Sequence, residues 1–424
     1  MLNKIKPKTE FGRSVLTLIT GTTIAQAIPI AISPILTRMY SPEEFGTLAL
    51  FVAIISILGV VVTGRYEHAI ILPKKDEDAL RLVGLSIVIA VCVSIICLII
   101  IVIFNSRITE LLSNSKISFW LYSIPLVLVL TGVYQSFNYW INRKKQYKII
   151  AINRVIQSGT TATGNLTMGY SGFGSNGLIA GQIVGQIIAT VWIAKFIWNS
   201  DGLKLLFASK IKFFAIAKRY DKFPKYDLLA ALANVSSHQI THVFFNILFG
   251  AVTAGYFYLM QKILNLPVLF VSTSIADVFR QSATNEYHQL KNCKKIFLST
   301  FKKLLFLSIL PCVVLYLYSV ELFTFIFGEE WRIAGKYAKV FVPMLFLQFI
   351  SSPLSVIFYI TEKQHVNLLL QMLLLIMVVL SLWLANDGYQ ATIFLSFSMS
   401  LYYIVQLTFS AFYAKVFTVS ALDR

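Results

Sequence analysis

Charge is scarce in this sequence, and negative charge is scarcest. Only 13% of the 424 residues are charged, where soluble domains carry about 25%. Asp and Glu together number 19, against 37 Lys and Arg. With 57% hydrophobic residues and a mean hydropathy of +0.73, a soluble domain is excluded and an integral membrane protein is implied. The net charge of +18 is not a nucleic-acid signal. The basic residues fall in short clusters between apolar stretches of about 20 residues, not on one soluble face.

Other absences narrow the chemistry. The four cysteines, Cys92, Cys97, Cys293 and Cys312, show no CxxC or other metal-ligand spacing and read as reduced thiols without a role. No GxxxxGK[ST] loop is present, so no nucleotide site of that kind is expected. The apolar stretches lack deep carboxylates, which removes the usual groups for proton or sodium coupling. It also removes the acidic pairs of a glycosyltransferase or hydrolase. No cofactor, metal or catalytic residue is expected. The basic start "MLNKIKPK" is followed by an apolar stretch of about 25 residues with no A-x-A site, which reads as a retained first span.

Twelve stretches are long enough to cross about 30 Å of hydrocarbon, centred near residues 25, 54, 92, 129, 160, 187, 237, 264, 311, 347, 376 and 401. The fifth is the weakest, because it holds Asn153, Gln157, Asn165 and several threonines. Thirty of the 37 basic residues fall on one side of this alternation and six on the other (Arg38, Arg107, Lys116, Arg332, Lys336, Lys339). Lys262 alone lies within a span. By the positive-inside rule both termini are cytoplasmic. The outer loops are short, and "GYSGFGSNG" and "FGAVTAG" carry no charge.

The basic stretch "NSDGLKLLFASKIKFFAIAKRYDKFPKYD" divides the spans six and six. This predicts an N-terminal lobe over 1–200, an amphipathic cytoplasmic linker over 201–225 lying on anionic membrane lipid, and a C-terminal lobe over 226–424. A shift of 209 residues aligns Gly46 with Gly255, Leu50 with Leu259 and Ile54 with Ile263. In that register Lys262 faces Ala53, so the lysine does not come from the repeat.

Lys262 is the leading candidate for function. A charge at the centre of a span costs roughly 2.5 to 3.5 kcal/mol on insertion scales, and Lys262 falls within about 3 Å of the expected midplane. No Asp or Glu occurs between Leu228 and Ala276. The charge therefore needs water, another helix or an anionic ligand; a lysine neutralised by desolvation is the structural alternative. In the preceding span Asn234, His238, His242 and Asn246 recur at i+4 and form one polar stripe, suited to a hydrated lining or to helix-to-helix hydrogen bonds. The two histidines are too few for a closed metal site. Thr22, Gln26, Ser33 and Thr37 make a related face on the first span, which Pro29 and Pro34 are expected to bend. Gly177, Gly181 and Gly185 form a ridge for close helix packing.

Several stretches in order along nearly the whole chain resemble the Wzx-like oligosaccharide flippases of the multidrug/oligosaccharidyl-lipid/polysaccharide (MOP) superfamily. They are "LTRMYSPEEFGTLAL", "GRYEHAIILPKKDEDA", "AKRYDKFPKYD", "GYFYLMQKILNLPV" and "IFGEEWRIAGKYAKVFVPMLFLQFISSPLS". The resemblance implies an all-α integral membrane fold of 12 transmembrane helices, in two six-helix lobes around a central cavity. It implies alternating-access transport of undecaprenyl-diphosphate-linked oligosaccharide units to the periplasmic leaflet of the inner membrane, for O-antigen, capsule or related polymers. A polysaccharide polymerase and a chain-length regulator are the partners it suggests. Lys262 stands in "QKIL" where such sequences often carry arginine, which keeps the charge and loses bidentate phosphate geometry. Arg38 and Arg65, at opposite ends of the first hairpin, become candidates for substrate contact, with local pairing to Glu67 the alternative for Arg65. A small-molecule exporter of the major facilitator kind lacks support, because the second loop has no GxxxDRxGRR-like pattern. A polymerase or other membrane enzyme lacks support because the outer loops are short.

Overall fold

The computed structural model describes residues 10–201, 210–268 and 273–416. The chain divides into two units, Met1–Ala254 and Gly255–Arg424. The first contains α1 (Glu10–Ala31), α2 (Ser33–Met39), α3 (Pro42–Val61), a 3-10 turn (Tyr66–Ile71), α4 (Asp76–Leu111), α5 (Ser118–Leu121), α6 (Ile124–Arg143), α7 (Tyr147–Tyr170), α8 (Ser175–Asp201) and α9 (Lys210–Arg219). A π turn at Phe223–Asp227 leads into α10 (Leu228–Pro267), which runs on into the second unit. There follow α11 (Thr273–Leu290), α12 (Lys294–Phe327), α13 (Arg332–Leu354), α14 (Ile357–Ile360), α15 (Gln364–Trp383) and α16 (Gly388–Tyr413).

All twelve centres expected from hydropathy fall inside helices. Among the described residues nine helices are long and apolar enough to cross a membrane. α7, the polar fifth stretch, is not one of the nine, yet it forms a helix of 24 residues. Its small and polar residues are turned onto α8. A Cβ on Gly181 would strike the Asn165 side chain and lie 2.9 Å from its backbone nitrogen, and one on Gly185 would strike Thr161. The glycine ridge thus permits backbone-to-backbone approach, with dispersion contacts taking the place of a hydrophobic drive that lipid cannot supply.

Local chemistry sets the element ends. Ser41 and Glu44 form a capping box ahead of Pro42, with the Ser41 N–H donating to Glu44 Oε2 at 2.8 Å. Asp387 caps α16 by accepting from the Gln390 N–H at 2.8 Å, and Glu286 accepts from the Lys295 and Ile296 N–H groups at the start of α12, both at 3.1 Å. The first span is interrupted at Ile32, between α1 and α2, where Pro34 can donate nothing. There the Ser33 hydroxyl donates to the Pro29 carbonyl at 2.6 Å.

Each unit has its own core. In the first, Trp140, Ile70, Leu82, Val83 and Ile193 are buried together; in the second, Phe279, Phe297, Phe349, Leu354 and Ile357 are. Inside the second unit Ser351 donates to Gln406 at 2.8 Å, and Gln406 in turn to the Tyr402 hydroxyl at 3.1 Å. By contrast α4 and α12 expose long apolar faces, including Ile103 at 64% and Phe306 at 82%. Surfaces of that composition belong against lipid.

Candidate substrate site

α10 carries most of the candidate residues, and a single residue interrupts it. Gly250 has φ 82 and ψ 166, a conformation reserved for glycine, within 40 residues otherwise assigned as helix. Forty residues are about twice the length needed for one crossing.

Before the break, the polar stripe is divided by burial. Asn234 and His238 are exposed, while His242 is buried and Asn246 is fully buried. Asn246 is committed on both sides of its amide. Its nitrogen donates to the Gly46 carbonyl at 3.1 Å, and its oxygen accepts from Asn114 at 3.3 Å. Asn114 also donates to Thr47 at 3.2 Å. The contact is possible because Gly46 has no side chain: a Cβ there would strike the Ala251 carbonyl. Asn246 therefore ties the end of this segment to α3.

After the break, Lys262 is half-buried, and among the described residues no hydrogen bond or ion pair holds it. Helical spacing puts it with Tyr258 and Asn265, away from Phe257, Met260 and Leu264, which are buried. A cation on a span, on a face that is not the packed one and with no fixed counter-charge, can accept an anion without first breaking a bond.

The remaining candidates are placed separately. Gln26 is half-buried on α1, one turn from Thr22, whose hydroxyl accepts from Arg154 of α7 at 2.6 Å. An apolar cleft of about 470 Å3 between α1 and α7, lined by Thr17, Thr20, Ile24, Lys148, Ile152 and Ile156, does not include Gln26 in its lining. Arg38 is exposed at the end of α2 and makes no ion pair among the described residues.

Arg65 is the opposite case. Its backbone is left-handed at φ 64, and its Nε donates to Asp227 Oδ2 at 2.8 Å. Its Nη1 lies 3.7 Å from Glu67 Oε1. Glu67 is the one fully buried Asp, Glu, Lys or Arg among the described residues, and it also accepts from the Thr63 hydroxyl. His68 completes the cluster. Its Nε2 is 3.7 Å from Glu67 Oε1 and its Nδ1 3.7 Å from Asp227 Oδ2, and Tyr139 of α6 hydrogen-bonds Nε2 at 2.9 Å. Burial, and after it the Arg65 guanidinium, hold the His68 imidazole below its ordinary pKa, against the opposing pull of Glu67 and Asp227. Beside the cluster, Arg143 donates to the carbonyls of Ile70 and Ile71 at 3.3 and 3.1 Å and also binds Asp76. Hydrogen bonds from Lys144 and Arg143 hold the Asp76 carboxyl below its usual range. Sequence reasoning reached the Arg65–Glu67 pair but missed Asp227, His68 and Tyr139. Both halves of the contact lie in quoted stretches, "GRYEHAIILP" and "FPKYD", with nothing in either to say that they meet.

The fold is matched by solved structures. The lipid II flippase MurJ in an inward closed conformation aligns with a TM-score of 0.75 at 12% identity, over 97% of this chain and 88% of that one. The inward-facing conformation of a multidrug resistance MATE family transporter of the MOP superfamily aligns at 0.72 and 14%, over 95% and 96%. A MOP superfamily transporter from Pyrococcus furiosus, described as having a binding pocket of reverse polarity, aligns at 0.62 and 14%, over 96% and 97%. The fold is thus that of the MOP transporters and flippases. Within it, residues 35–335 match the family described as polysaccharide biosynthesis protein, and the chain belongs to that family. No curated protein matches it in sequence.

Proposed function

We propose that this chain is a flippase for undecaprenyl-diphosphate-linked oligosaccharide units, moving them from the cytoplasmic to the periplasmic leaflet of the inner membrane by alternating access. The product would feed O-antigen, capsule or a related polysaccharide, with a polymerase and a chain-length regulator acting after it. In this reading the chain crosses the membrane twelve times with both termini in the cytoplasm. The 201–225 linker separates an N-terminal lobe over 1–200 from a C-terminal lobe over 226–424.

The observation that carries the reading is Lys262, an uncommitted cation in the span after Gly250. A diphosphate offers the counter-charge that the span lacks, so burying the ammonium and binding the cargo become one event. A lysine has three rotatable donors and no fixed fork, which suits a head group that must be released on the other side. Asn234 and His238, exposed on α10, and Gln26 on α1 offer hydrogen bonds to sugar hydroxyls. His242 is a weaker candidate because it is buried. Arg38 is free to meet an anion at the outer mouth. Arg65 and Asn246 are spent on protein partners, which supports a positioning role for them. Membership of a polysaccharide biosynthesis family supports the sugar-bearing cargo.

The test is Lys262→Ala beside Lys262→Arg, scored for surface polysaccharide at equal membrane levels of protein. Alanine is expected to abolish export, with lipid-linked units accumulating inside, and arginine to retain it. Full export by the alanine variant would sink the anion site. Polymer of altered length without such accumulation would instead indicate an enzyme.

A further inference from the structure

Six cations stand on the side expected to face outward, and three of the six occur together on α13. Arg332, Lys336 and Lys339 recur at i, i+4 and i+7, so they share one face of the helix, and all three are exposed. Each of them works against the charge bias that orients the chain. Arg332 is paired with Glu329 at 3.0 Å. Among the described residues Lys336 and Lys339 are in no ion pair, although Glu321 is exposed on the neighbouring α12.

Further along the same face come Pro343 and Phe346, and there the surface turns from charged to apolar. α12 and α13 meet backbone to backbone at Gly335, where a Cβ would lie 2.8 Å from the Val320 Cα. The Ser319 hydroxyl donates to the Gly335 carbonyl at 3.1 Å, which fixes that register. Four residues on, Lys339 Nζ lies 5.4 Å from the centre of the Tyr316 ring. From that pair a groove of about 340 Å3 runs along the seam, between Ile309, Val313 and Tyr316 of α12 and Val342, Pro343 and Phe346 of α13. Its lining holds no charged residue. Phe346 is about 21 Å from Arg332 along the helix axis, so the groove reaches the centre of a hydrocarbon layer about 30 Å thick.

We propose that the seam between α12 and α13 is a binding site for an anionic phospholipid of the outer leaflet, with the phosphate on Lys336 and Lys339 and one acyl chain in the groove. Two ammonium groups with no counter-charge among the described residues require an anion at the rim, and the apolar trough beneath them requires a chain. A soluble anion would leave the groove empty, and a neutral lipid would leave the lysines unpaired. A lysine at this depth ordinarily extends towards water. The Tyr316 ring instead keeps Lys339 Nζ at the mouth of the groove, where the head of a chain seated there would lie. A lipid-linked diphosphate has the same two parts at far lower abundance. Beside the groove α12 is exposed, with Leu310 at 71% and Leu317 at 54%, a surface that belongs against lipid. Bilayer phospholipid therefore meets the seam at the concentration of a solvent.

Only the word outer depends on the proposed orientation, and nothing in the site depends on the cargo, so its failure would leave the flippase reading standing. The experiment is native mass spectrometry of the full chain in detergent, titrated with phosphatidylglycerol or, separately, with phosphatidylcholine. Wild type is expected to hold one phosphatidylglycerol more tightly than any phosphatidylcholine. Lys336→Ala combined with Lys339→Ala should weaken that first binding roughly ten- to thirtyfold, as the loss of two lysines beside an anionic lipid implies. The corresponding pair of arginines should keep it. Val313→Trp fills the groove without changing the charge and should weaken the same step. Lys145→Ala combined with Lys148→Ala removes as many exposed lysines elsewhere and should leave it unaltered. Equal affinity for the two lipids, no loss in the first alanine pair, or an equal loss in the second overturns the proposal. Undecaprenyl diphosphate held by Lys336 and Lys339 more tightly than phosphatidylglycerol overturns the phospholipid as occupant. Should the variants fail to fold, wild type decides. Phosphatidylglycerol with a photoreactive group on its chain should mark residues 309–317 and 342–346 more than the phosphatidylcholine counterpart does, and equal marking overturns the proposal.

Discussion

Arg65 and Lys262 carry the same charge in opposite circumstances, and the difference sets what their loss should do. Arg65 is spent on two carboxylates, one of them the fully buried Glu67. Removing it leaves Glu67 with the Thr63 hydroxyl and an imidazole that prefers to be neutral. Breaking one side of a buried pair costs 3–5 kcal/mol in general; with Arg65 partly exposed and Glu67 able to take a proton, about 2 kcal/mol is the expected loss for Arg65→Ala. Thermal unfolding in detergent measures it, and Glu67→Gln in the same chain should restore part of the loss, because the uncompensated charge is then gone. Lys262→Ala should leave the melting temperature unchanged or raised, since it removes a charge that no group among the described residues balances. The pairing of Arg65 with Glu67 was legible at a spacing of two residues. Asp227 was not, because it lies 162 residues away and local pattern does not say which turn a helix start will meet.

At the scale of elements, the apolar stretches read directly as helices, and what escaped was how they are joined and sorted. The uncharged "FGAVTAG" reads as a short outer loop, but the break is a single glycine inside an otherwise helical run. The polar stripe of α10 follows from the i+4 period. Its division into exposed and buried halves does not, because that depends on Gly46 of α3 reaching Ala251. Likewise α7 looks too polar for a span until Gly177, Gly181 and Gly185 of α8 are seen to receive it. Gly250 offers a clean test of the break. A Cβ there would meet nothing within 4 Å, so Gly250→Ala carries only the backbone cost of its conformation, about 1–3 kcal/mol. The variant should melt lower by that amount, and Asn246→Ala added to it should cost less than in wild type if the break and the Gly46 contact fail together.

At the scale of the molecule, the ends of the helices show where some of the basic residues that set the expected sidedness are placed. A helix commonly closes with a left-handed residue, usually glycine. Here α6, α11 and α16 close through left-handed Lys145, Lys291 and Lys415, α3 through Gly64 followed by left-handed Arg65, and α14 through Glu362, followed by Lys363. All five lie on the side expected to be cytoplasmic. On the other side α4, α7 and α12 close through Ser113, Gly172 and Gly328. The motif is the same in both places: the Lys145 and Gln146 N–H groups return to the carbonyls of Asn142 and Ile141 as those of Gly172 and Phe173 return to Gly169 and Met168. A lysine there gives up glycine's freedom and gains the attraction of the helix C-terminus for a cation, while adding to the charge that orients the chain. Single cysteines at 145, 291 and 362, against 113, 172 and 386, in a chain freed of its own four, separate the sides. A membrane-impermeant maleimide applied to intact spheroplasts should label the second set only, and the first set only after the membrane is opened. Because one misplaced crossing inverts every later position, labelling that agrees up to 172 and reverses at 291 would put the error in α8 or α10.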